Sequence, residues 1–90
     1  MLFETACKKA MQKLEKDWGD VGICLIRDIG DKWLFNGANE EGKTIYGKPG
    51  ITIEKSTGAI GLFLLPNDEN FKLLEKAVDV EIPNEYRVNH

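Results

Sequence analysis

Asp28, Asp31, Glu40, Glu41, Asp68 and Glu69 stand in short acidic stretches of the chain. A close pair of carboxyl groups can run acid–base chemistry when burial drives the pKa of one of them upward. Each of these residues falls in a segment that reads as a turn, a loop or a helix start, where carboxylates are solvated or serve as caps. Cys7, Cys24 and His90 are the remaining groups with nucleophilic or metal-ligating chemistry. Two thiols and one terminal imidazole do not make a closed tetrahedral metal site, and a histidine at the chain end is poorly placed to act as a catalytic base. Gly47 with Gly50, and Gly58 with Gly61, are paired glycines, but neither pair joins a strand to a helix N-terminus as a phosphate cradle requires. No catalytic, cofactor-binding or metal-binding residues are assigned, and the chain reads as a non-enzyme.

The elements that would carry these side chains follow from hydrophobic periodicity. Phe3, Cys7, Ala10, Leu14 and Trp18, with Ala6 and Met11 beside them, recur at three-four spacing and predict an amphipathic helix over about 2–17, with Trp18 either its last core anchor, the favoured reading, or a partly exposed ring. Gly19 supplies its C-terminal stop. Residues 21–29 are apolar on both faces at their start and polar towards their end, as in a central strand running out to solvent. A turn at Gly30 and Asp31 leads to a strand over 32–36, with Trp33 and Phe35 on one face and Leu34 on the other. Residues 37–42 form a polar loop, and β character restarts over 43–47 through Thr44, Ile45 and Tyr46. Pro49 and Gly50 then mark an edge, a bulge or a break.

Ile51 and Ile53, then Ile60, Leu62 and Leu64, alternate on either side of Ser56, Thr57 and Gly58, which predicts a β-hairpin over 51–65. Pro66 closes it. Asn67 or Asp68 caps a second helix whose buried stripe is Phe71, Leu74 and Val78, with Leu73 and Ala77 adjacent. Residues 80–86 alternate apolar and polar and either add a short strand or lie over the core. The expected fold is a single α+β domain, an N-terminal helix packed on a four-stranded antiparallel meander and followed by a second C-terminal helix.

Composition limits the partners. Ninety residues, 42% hydrophobic and 30% charged, suit one soluble domain, and the net charge of −3 disfavours nucleic acid and anionic membranes. No apolar run reaches the length of a membrane-spanning helix, and lysines interrupt the N-terminal apolar pattern where a leader would be uncharged. These features predict a cytoplasmic protein with both cysteines reduced, buried as small hydrophobes. An acidic domain is suited to a basic protein partner, with Asp28, Asp31, Glu40 and Glu41 as contacts and Tyr46 as an aromatic anchor.

The N-terminal helix, then Trp33 and Phe35, then Ile51, Ile53, Lys55, Thr57, Gly58 and Ile60 resemble the immunity protein 35 family of bacterial polymorphic toxin systems. The similarity spans about residues 3–65 and leaves out the second helix and the tail. It implies a cytoplasmic protein that neutralises a cognate toxin, a basic toxin domain for instance, by direct binding and without catalytic residues. A small regulatory or adaptor domain, homodimeric through the edge near Pro49, is one alternative reading. A domain binding a small ligand between helix and sheet is the other.

Overall fold

The computed structural model describes residues 2–38, 50–63 and 68–87, with the side chains of residues 68–71 left out of the description. Helix α1 is Phe3–Trp18, followed by strands β1 (Gly22–Asp28), β2 (Lys32–Ala38), β3 (Gly50–Glu54) and β4 (Ile60–Phe63). Helix α2 (Asp68–Glu75), a two-residue strand β5 (Val78–Asp79) and a 3₁₀ turn at Asn84–Tyr86 complete the described chain. The strands form one antiparallel sheet in the order β4-β3-β2-β1-β5. The expected meander is therefore present as β1 to β4. The chain then returns past it and adds β5 to the far edge, alongside β1. Pro49, Leu64, Asn67 and the expected strand at 43–47 lie outside the described residues.

Helix α1 is held by its buried face. Ala6, Cys7, Ala10 and Leu14 are fully buried, and the two alanines bring the helix close to the sheet, where Ile23, Ile26, Phe35, Ile51 and Ile53 complete the main core. The helix ends where expected. Gly19 adopts φ 68° and donates its N–H to the Glu15 carbonyl at 2.9 Å, while Asp20 N–H reaches the Leu14 carbonyl at 3.4 Å. Trp18 does not anchor the core. It lies one turn beyond Leu14 on the same face but is the last residue of the helix, and it is 43% exposed.

Strand β1 departs from strict alternation. The pairing with β2 shifts register between Ile23 and Leu25, so Cys24 sits in a bulge and donates its S–H to the Gly37 carbonyl at 3.5 Å. The extra residue lets Ile23 and Ile26, three apart in sequence, face the same core. Both cysteines are free thiols, and burial, helped by Glu85 and Glu4, pushes the Cys7 thiol up to about 11.

The second face carries a smaller core of Ile29, Leu34 and Phe63, against which Leu74 of α2 and Ala77 pack. Trp33 and Phe35 thus point to α1 and Leu34 to α2, as the alternation over 32–36 predicts. Val78 does not belong to the stripe of α2. The helix stops at Glu75 and Val78 is 64% exposed in β5, opposite Asp28. Of the two readings of residues 80–86 the second holds: the short strand is Val78–Asp79, just before them, while Val80 N–H donates to the Ile26 carbonyl at 2.9 Å and Val80, Ile82 and Tyr86 close the α1 side of the sheet beyond β1.

Candidate partner-binding surface

The β1–β2 and β3–β4 turns lie at the same end of the sheet, and a short series of polar contacts ties them into one tip. Lys55, the first residue after β3, donates its backbone N–H to the Asp31 carbonyl at 2.9 Å. Its ammonium donates to both carboxylate oxygens of Asp28 at 2.8 Å and lies 5.4 Å from the centre of the Trp33 ring. Trp33 in turn meets Phe3 of α1 edge to face, with ring centroids 5.4 Å apart. A second cation fixes the outer turn: Lys9 of α1 donates to the Gly58 carbonyl at 2.6 Å. Gly58 presents that oxygen from φ 77°, a conformation that side chains other than glycine rarely adopt.

Asp28 is therefore a structural anion within the tip. Its carboxylate accepts from Lys55 and from the Gly30 N–H at 2.9 Å, and these hydrogen bonds hold its pKa below the ordinary 3.8 against a small opposing effect of burial. A carboxyl whose folded pKa is lowered contributes stability above its unfolded pKa and loses it as pH falls through the folded value. Lys55→Met should accordingly cost about 0.2–1 kcal/mol at pH 7, the range for a partly exposed ion pair. In urea titrations the gap between wild type and variant should close below pH 4, and a gap of constant size down to pH 2 would assign the loss to packing on Trp33 instead.

Asp31 is exposed beside this clasp and engages it through its backbone, leaving its side chain at the surface. Of the other expected contacts, Glu40, Glu41 and Tyr46 lie outside the described residues, so the geometry brings together Asp28 and Asp31 alone. Asp20 escaped sequence reasoning. Only 2% exposed, it lies against Gly37, where α1 ends over β2. Its position directly after a helix-terminating glycine gave no periodic signal.

The charge of the tip is mixed, with Lys32, Glu54 and Lys55 near Asp28 and Asp31 and the Arg27–Asp79 ion pair at 3.1 Å beside them. Among the described residues, no three His, Cys, Asp or Glu side chains converge into a metal-sized cluster, and no helix is long and apolar enough to cross a membrane. What the arrangement offers is a rigid polar surface: turns already fixed in place lose little further entropy when a partner binds. Comparison with protein-family models, with curated proteins and with solved structures finds no match.

Proposed function

We propose that this chain is a non-catalytic binding domain of the bacterial cytoplasm that neutralises a cognate toxin by direct contact, the fixed tip of the sheet forming part of the binding surface. The observation that carries the reading is the clasp itself: Asp28, Lys55, Trp33 and Lys9 immobilise two turns and leave Asp31 exposed between them. Pre-organisation of this kind lowers the cost of association, and an exposed acid in an acidic domain steers a basic partner. The resemblance of Trp33, Phe35 and residues 51–60 to the immunity family supports the toxin as that partner.

Co-expression tests it. Growth of a bacterial host producing the toxin encoded beside this gene should be restored by the wild-type chain, and Asp31→Lys should weaken that protection at least tenfold in toxin dose. Failure to relieve any neighbouring toxin would overturn the immunity reading.

A further inference from the structure

The α1 face of the sheet is covered unevenly. Helix α1 lies over β2 and β3, and Val80, Ile82 and Tyr86 close the side towards β1. On the other side Ile60 and Leu62 stand opposite Ile53 and Ile51 in register, and so on the same face, yet they are 40% and 56% exposed. The alternation that predicts their burial is real, but the helix does not reach them.

Their main chain is equally open. Among the described residues β4 is the outermost strand on its side of the sheet. Glu54 N–H donates to the Ala59 carbonyl at 3.0 Å, so in the alternating antiparallel ladder Gly61 and Phe63 turn their polar groups towards β3. Ile60 and Leu62 turn theirs outward. Among the described residues the same two thus present backbone without a partner and aliphatic side chains left uncovered, on a strand without charge, proline or bulge.

We infer that β4 pairs antiparallel with β4 of a second copy of this chain about a two-fold axis at Gly61. In that register Ile60 exchanges both backbone hydrogen bonds with Leu62 of the copy, and Leu62 with its Ile60. The four aliphatic side chains then form two cross-strand pairs on one face. Gly61 meets its counterpart at the axis, where non-hydrogen-bonded pairs approach closest. It carries no side chain there, and a Cβ would already lie 2.9 Å from the Thr52 hydroxyl. A charged partner gains nothing at this edge, because residues 59–66 contain no ionisable side chain to meet it. Open-ended growth through the other edge is opposed by β5, which is two residues long and carries Asp79 beside an exposed Glu81. Among the described residues β3, which starts at Gly50 beside Pro49, is flanked by β2 and β4 and offers no edge over Ile51 to Ile53.

Sedimentation equilibrium of the full chain decides the matter, independently of any toxin. The weight-average mass should rise from 10.1 kDa towards twice that value as concentration passes on the order of 100 µM, a weak dimer in keeping with a short interface. Leu62→Lys, at an exposed position, should keep the monomer mass at tenfold higher concentration. Amide exchange of wild type gives a reading that needs no variant: the Ile60 and Leu62 N–H groups should exchange at least tenfold more slowly in concentrated than in dilute solution. A monomer throughout, concentration-independent exchange at these two amides, or a mass growing past the dimer would each overturn the inference.

Discussion

Phe35→Ala should destabilise the fold by about 3–5 kcal/mol, the range for truncating a buried aromatic. Phe35 is fully buried and sits at the centre of the sheet, opposite Ile26 on β1 and Ile51 on β3 and beneath α1. Removing the ring therefore takes packing from three strands and the helix together, and the rigid pairing of β2 on both sides leaves little freedom for the cavity to close. For a chain of this length each kcal/mol lowers the midpoint by roughly 4–8 °C, so a fall of more than about 12 °C is expected in thermal unfolding. Urea titration should show a lower midpoint with an unchanged slope. A loss under about 1 kcal/mol would mean that Phe35 is not the centre of this core.

Gly37→Ala is the second large effect, and it arises from excess volume. A Cβ at Gly37 would fall on the Asp20 carboxylate, 2.7 Å from its Cγ and 3.1 Å from Leu14 Cδ2. Leu14 is fully buried and Asp20 nearly so, which leaves neither side chain an easy retreat. Overpacking of this kind costs about 1–3 kcal/mol. The cause is separable by a double-mutant cycle: in an Asp20→Ala background the same substitution should cost less than half as much, because the obstructing carboxylate is gone. Equal costs in both backgrounds would place the strain in the backbone of β2.

The meander was legible because its core positions obey simple periods. Phe35 and Leu34 alternate faces, Ile51 and Ile53 share one, and Ala6, Ala10 and Leu14 follow the helical repeat, so their burial follows from pattern alone. Where a period is broken by tertiary geometry the sequence was silent. Ile23 and Ile26 share a core only because Cys24 bulges, and nothing in the surrounding residue types announces the extra residue. Ile60 and Leu62 have the right alternation but lie beyond the width of one helix, and Trp18 and Val78 fall past the points where their helices leave the core. The tip was partly legible. Asp31 was recognisable as a turn acid, whereas Asp28 is the last residue of β1, and its pairing with Lys55 joins residues 27 apart in sequence, which only the strand register brings together.

The return of the chain to β1 has a kinetic meaning. Successive strands β1 to β4 pair with their immediate neighbours, so this part of the sheet can form from local encounters, whereas β5 must find β1 across some fifty residues and, among the described residues, adds Arg27–Asp79, Asp28–Val78 and the Val80 hydrogen bond to the packing of Val80, Ile82 and Tyr86. The docking of β5 and the tail is therefore expected late in assembly and early in unfolding, which hydrogen exchange at the Val80 amide would show as weaker protection than at the amides of β2. In that partly opened state the flank of Ile26 is uncovered while α1 still seals Phe35, Ile51 and Ile53, so the molecule can lose its C-terminal layer without surrendering the core that defines it.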